Sequence, residues 1–248
     1  MNTLTHILLL VFGVLIILFI SSFNLKYMIK PIRQGDKRNL HPSHRNLFMC
    51  YHTKSKIPQK VFDNLETYAP EYTLYLYDDD DIIEFFKTHY RDYQRYIDRF
   101  NHLHGAHKAD LWRYCALYHY GGLYLDVKTV LIRPLREIFT RDDTLYTVNS
   151  MVTNTIYQGI IKTPPHNPIF LQLIEYVLRS SQEDVDKDYL IFTKDFYDTL
   201  QGYSGDYTLF DEYCDRDVCE RRDRHGLCCY IYRDKERIIK TRFEDFPW

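Results

Sequence analysis

This sequence predicts an α/β fold with a mainly parallel sheet, on three observations. From residue 46 onward, short segments with strand-like alternation take turns with longer segments of helical periodicity. Gly, Pro and Asp residues punctuate the joins between them. The chain has 248 residues, enough for one α/β domain with a sizeable core.

The body is expected to begin near Leu47. Asn46 to His52 (NLFMCYH) predicts a first strand, followed by a loop through Ile57-Pro58. Gln59 to Tyr68 carries Val61, Phe62, Leu65 and Tyr68 at helical spacing, and Pro70 closes that helix. Tyr72 to Tyr77 alternates as a second strand, after which Asp81 caps a helix bearing Ile82, Ile83, Phe85 and Phe86. The run Asp78–Asp81 resembles a metal site. Its place between a strand end and a helix start fits capping and the helix dipole better.

Ala106 to Tyr120 has good helix formers and no breaker, and Gly121-Gly122 ends it. Asp110 and Arg113, three apart, share one face of that helix. Taken alone, they could be a simple intrahelical ion pair. Leu123 to Ile132 then alternates as a strand up to Pro134, with Tyr124, Asp126, Lys128 and Val130 on one face. A carboxylate buried in such a strand needs a partner or a ligand to offset its desolvation. Near the end, CCYIY predicts another strand and TRFEDFPW a packed tail. No internal repeat is evident.

The flanks and composition narrow the class. Every residue from Ile7 to Ile20 is apolar or Gly, and no Lys or Arg precedes the run. That reads as a retained single-pass membrane anchor rather than a cleaved leader, with residues 4–23 in the bilayer. The expected organisation is an anchor over 1–23, a polar basic stem over 24–46 and a catalytic body over 47–248. Lys26, Lys30, Arg33, Lys37 and Arg38 follow the apolar run, which favours a cytoplasmic body under the positive-inside rule. The orientation stays open at this stage. A net charge of −2, from 32 basic and 34 acidic residues, argues against a nucleic-acid partner. The 23 Tyr and 15 Phe are compatible with sugar stacking and equally with core and interface use.

Cys50 and Cys115 sit in apolar surroundings and read as buried thiols. Cys214, Cys219, Cys228 and Cys229 have no zinc-ligand spacing, so a disulfide or burial is expected there. At most two of His102, His104 and His107 share a helical face, which argues against zinc. One of them, and His166 in a Pro-rich loop, are candidates for ligand contact.

The helix KADLWRYCALYHYGG followed by LYLDVKT resembles the DXD sugar-binding region of glycosyltransferase family 32, a family related to the clostridial glucosylating toxins. Ile57-Pro58 upstream, Asn154 to Gln158, and Pro-His-Asn-Pro at 165–168 extend the resemblance over roughly residues 47 to 180. It implies a GT-A-like single nucleotide-binding domain, with ligand at the carboxyl ends of the strands. It also implies sugar transfer from a nucleotide-sugar to a glycan, protein or lipid acceptor, with retention. Asp110, Arg113 and Asp126 would then be catalytic, and Tyr51, His52, Tyr124 and Lys128 would join them in donor binding. Asp110 would meet sugar hydroxyls, Arg113 the sugar or phosphate, and Asp126 the ribose and a divalent cation, Mn2+ or Mg2+.

One departure stands out. The second acid of the motif is Lys128, giving Asp-Val-Lys, and a charged lysine has no lone pair for a metal. Three readings stay open: an ion held by Asp126 and groups elsewhere, Lys128 itself neutralising the diphosphate, or an inactive donor-binding site.

Overall fold

The computed structural model of the protein describes residues 32–215 and 228–247. The predicted anchor, including Ile7–Ile20, lies outside them. Among the described residues, no helix is long and apolar enough to cross a membrane. Residues from Ile32 onward belong to one unit, ahead of the Leu47 start that composition favours. Ile32 and Leu40 are buried, and Lys37 pairs with Asp81, so residues 32–46 pack on the body.

The first half follows the predicted alternation. Strand β1 (Arg33–Gln34) precedes β2 (Asn46–Cys50), helix α1 (Gln59–Tyr68), β3 (Thr73–Tyr77), α2 (Asp79–His89) and α3 (Tyr93–His102). Then come α4 (Gly105–Tyr120), β4 (Gly122–Leu125), β5 (Val130–Leu131) and the short α5 (Leu135–Ile138). The second half contains β6 (Leu145–Asn149), β7 (Ile156–Thr163), α6 (Ile169–Arg179), α7 (Gln182–Lys187) and α8 (Ile191–Gln201). It ends with β8 (Tyr207–Asp215), β9 (Cys228–Arg233) and β10 (Glu236–Lys240).

The sheet order is β1-β3-β2-β4-β7-β6-β8-β9-β10-β5. It is mixed, which corrects the expectation of a mainly parallel sheet. β1, β3, β2 and β4 run parallel, as do β6 and β8, while the other neighbours are antiparallel. The physical reason lies in the connections. Helices join the early strands, whereas β9 and β10 are linked by Asp234-Lys235 alone, at φ of +49° and +70°. So tight a link permits only antiparallel neighbours.

Alternation along the strands divides the core between the two sheet faces. Phe48, Tyr75, Tyr77 and Tyr124 pack with α2, α4 and α6 on one side. Leu47, Met49, Leu74, Leu123 and Leu125 pack with α1 and α5 on the other. Helix α4 is buried almost all round through its middle turns, with Leu111, Trp112, Cys115 and Leu117 fully buried. Each such large side chain contributes about 1.5–3 kcal/mol through burial.

Two glycines join α4 to β4 at close quarters. Gly121 (φ +59°) ends the helix, and a Cβ there would stand 2.5 Å from the Pro165 nitrogen. Gly122 (φ +94°) opens β4, and its Cβ would stand 2.5 Å from the Asn46 carbonyl oxygen. Only a glycine pair lets the central helix feed directly into the central strand here.

A cavity at the strand ends

The parallel strands β2, β3 and β4 end side by side at Cys50, Tyr77 and Leu125. Beyond their carboxyl ends lies a cavity of about 770 Å³, within the size range of small-molecule sites. Tyr51 and His52 line it from the end of β2, with their rings edge-on at 4.5 Å. Arg113 lines it from α4, and Tyr124, Asp126 and Lys128 from β4 and the turn that follows.

That turn differs from the expected continuous strand. β4 stops at Leu125, Asp126 N–H donates to the Gly159 carbonyl (2.9 Å), and Thr129 N–H donates back to the Asp126 carbonyl (2.9 Å). Asp126 and Lys128 still meet, with Lys128 Nζ 3.2 Å from Asp126 Oδ2. The turn, rather than strand alternation, brings them together.

Arg113 organises the centre. Its guanidinium lies over the Tyr124 ring at 4.4 Å and bonds the Ala109 and Gln158 carbonyls. It stands 3.4 Å from Asp110 and 3.7 Å from Asp126. Asp110 and Arg113 are only 5% and 4% exposed, so theirs is not a surface ion pair. The Tyr124 hydroxyl donates to Asp126 Oδ1 (2.9 Å) and contacts Cys50 Sγ at 3.6 Å.

The two carboxylates are pushed in opposite directions. Burial raises Asp110 above the ordinary carboxylate range, and the nearby Arg113 only partly offsets it. Burial would raise Asp126 too, but Lys128 and Arg113 outweigh it and hold the carboxyl below that range. Asp126 therefore faces the cavity as an ionised carboxylate. Asp110 stands behind Arg113 and is not among the residues lining the cavity. Burial pushes the Cys50 thiol up to about 12, which keeps it protonated and unreactive at neutral pH.

The remaining candidates separate cleanly. Asp78 caps α2 in a reciprocal capping box with Asp81, and Lys37 and Lys54 pair with these two acids, so both are structural, while Asp79 pairs with Lys108 and lines the cavity. Asp78, rather than the expected Asp81, holds the capping position. His104 precedes α4 and lines the cavity. His107 is buried and donates Nε2–H to the Tyr189 carbonyl (3.0 Å), His102 bonds the Asp98 carbonyl on α3, and His166 packs on Tyr118 away from the cavity. Cys115 is a buried thiol, and Cys214 forms a disulfide with Cys229. Two lining residues carry no local signal in the sequence. Tyr189, 68% exposed, comes from the link before α8, and Phe246 from the tail.

The donor set bears directly on metal binding. Asp126 is the one carboxylate at the Asp-Val-Lys turn, and both its oxygens already face Tyr124, Arg113 or Lys128. An ammonium and a divalent ion about 4 Å apart repel by about 8 kcal/mol at an effective dielectric of about 20. These residues do not fit a divalent ion held by a pair of acids.

A family profile described as "Glycosyltransferase sugar-binding region containing DXD motif" matches residues 56–145. No curated protein matches the chain in sequence. Among solved structures, the "PaToxG Glycosyltransferase" aligns at a TM-score of 0.43 and 12% identity, covering 66% of this chain and 71% of that one, too loosely to carry weight. The matched segment contains α4, the glycine pair and the Asp126–Lys128 turn, and over it this chain is similar to the sugar-binding region of glycosyltransferases.

Proposed function

We propose that this protein transfers a sugar from a nucleotide-sugar donor to a glycan, protein or lipid acceptor. The carrying observation is the network Asp110–Arg113–Asp126–Lys128, set at the carboxyl ends of three parallel strands, with Arg113, Asp126 and Lys128 facing the cavity. In the transfer, the bond from the anomeric carbon to the diphosphate oxygen breaks, and the acceptor oxygen bonds that carbon as its proton leaves. Negative charge grows on the departing diphosphate, where a fixed cation lowers the barrier most. Arg113 is such a cation, held in place by Tyr124, two carbonyls and two acids. Asp110 positions Arg113 from behind, and Asp126 is the acceptor for a ribose or sugar hydroxyl. Tyr51 and His52 offer aromatic surface for the base. Retention at the anomeric carbon follows from the family resemblance alone.

This glycosyltransferase family typically uses a divalent cation. The donor set at Asp126 departs from that pattern, and the residue roles above include no metal. For localisation, the apolar run Ile7–Ile20 would tether the body to a membrane. The Cys214–Cys229 disulfide favours an oxidising compartment for the body, against the pull of the basic cluster at Lys26–Arg38.

The test is transfer by the full chain in detergent, with labelled UDP- and GDP-sugars and candidate acceptors, read by mass spectrometry of the products. We expect a glycosylated acceptor, and a loss of about 100-fold or more in Arg113→Ala, as for removal of a transition-state donor. Binding of donors without product from any of them would favour a catalytically inactive nucleotide-sugar-binding protein instead. Lys128 at the second acidic position is the observation behind that second reading.

A further inference from the structure

Charge at the turn gives a reason for the lysine. With both acids ionised, Asp110 and Asp126 balance Arg113 and Lys128, and the cluster is neutral. With an aspartate at 128 it would carry a net charge of minus two, which one divalent ion would cancel. Replacing aspartate by lysine shifts the local charge by two units, the charge of such an ion.

The geometry agrees with the arithmetic. Lys128 lines the cavity, is 32% exposed, and rests against Asp126 Oδ2, the carboxylate oxygen that Tyr124 does not bond. Its backbone is pinned, because Phe243 N–H donates to the Lys128 carbonyl (2.8 Å). Lys108, the other lysine lining the cavity, is committed to Asp79 at 2.8 Å and to the face of Phe100 at 4.6 Å. Arg113 is fixed in its buried cradle. Among these three cations, Lys128 alone combines a half-open position with a flexible stem and a single carboxylate partner. An ammonium so placed can turn from that carboxylate to a diphosphate.

We propose that Lys128 takes the place of the divalent ion, so that this site binds the diphosphate of its donor without a metal. The proposal rests on the nucleotide-sugar reading and adds to it the identity of the counter-charge.

The experiment is calorimetric titration of UDP and GDP into the full chain in detergent, in EDTA and again with Mn2+. Uridine and guanosine serve as phosphate-free probes, and bound Mn2+ is read by electron paramagnetic resonance. In the wild-type chain we expect binding in EDTA, with a Kd that Mn2+ changes by less than about threefold. Lys128→Ala should weaken the diphosphate by about tenfold or more and the matching nucleoside by less than about twofold. Lys128→Asp should lose binding in EDTA, regain it with Mn2+, and show a bound-Mn2+ signal that the wild type lacks. Melting temperatures of both variants close to wild type would confirm that the fold is intact.

Wild-type binding that appears only with Mn2+ would overturn the lysine role and leave the donor site standing. So would undiminished binding by Lys128→Ala in EDTA. Failure of both nucleoside diphosphates to bind under every condition, with the fold intact, would overturn the nucleotide-sugar reading and this proposal with it.

Discussion

At the scale of single residues, ionisation is decided by what each group is packed against. Asp110 and Asp126 share the cation Arg113, yet the more deeply placed acid is raised and the one beside a second cation is lowered. His119 shows the same balance at the other end of α4, nine residues from Asp110 and so about 13 Å along the helix. Its ring centre lies 4.9 Å from that of His89, and its buried Nε2 has no hydrogen-bond partner among the described residues. Burial lowers its pKa to about 4, with His89 and His166 adding to the effect. Between pH 6.5 and 4 the unfolded chain therefore binds a proton here that the folded chain resists. The unfolded state binds more protons, so stability rises with pH across that window and falls on acidification through it. We expect the melting temperature of His119→Gln to fall less than wild type from pH 6.5 to pH 4. Equal slopes over that window would show that His119 does not titrate as its burial requires. Nucleotide binding at neutral pH should be unaffected, because the cluster is remote from the cavity.

At the scale of elements, local signals were readable and non-local ones were not. Helix α4 and its glycine stop follow from neighbouring residues, since helix formers without a breaker and the Gly121-Gly122 pair lie in one short stretch. The break at Asp126 does not. Tyr-Leu-Asp-Val-Lys-Thr-Val alternates like a strand, and the partners that turn it, Gly159 and Phe243, are 33 and 115 residues away from Asp126 and Lys128 in the chain. The pairing of Asp126 with Lys128 survived because the turn and the strand both place those side chains near each other. The late hairpin was half legible: its last strand could be seen in CCYIY, but the cysteine pairing required the register of β8 against β9, which sets Cys214 opposite Cys229. That disulfide closes a sequence separation of 15 residues, for which chain entropy gives about 3 kcal/mol. We expect Cys214→Ser with Cys229→Ser to lower stability by about 2–3 kcal/mol in denaturant unfolding. Nucleotide affinity should stay unchanged, since neither residue lines the cavity. A loss of affinity would mean that the hairpin supports the site.

At the scale of the whole molecule, the mixed sheet has a consequence for the site. Helical crossovers carry the first half, and antiparallel strands then return the chain toward its beginning, so that β10 pairs with β5, the strand that follows the Asp126–Lys128 turn. The tail beyond β10 is thereby delivered to the cavity. Phe243 bonds the Lys128 carbonyl, Asp245 pairs with Lys60 on α1, and Phe246 lines the cavity. Nothing within TRFEDFPW announces this, because the position of the tail depends on the order of the entire sheet. If the tail holds the turn in its binding geometry, ending the chain after Thr241 should free the Lys128 backbone and open one wall of the cavity. We expect UDP or GDP affinity to fall by about tenfold, with a melting temperature lowered by several degrees. Phe246→Ala separates the two effects: it removes the wall and spares the Phe243 bond, so affinity should fall by about threefold with little change in melting temperature. Full affinity in the truncated chain would show that the turn holds its shape through the Gly159 bond alone, and that the tail serves only the fold.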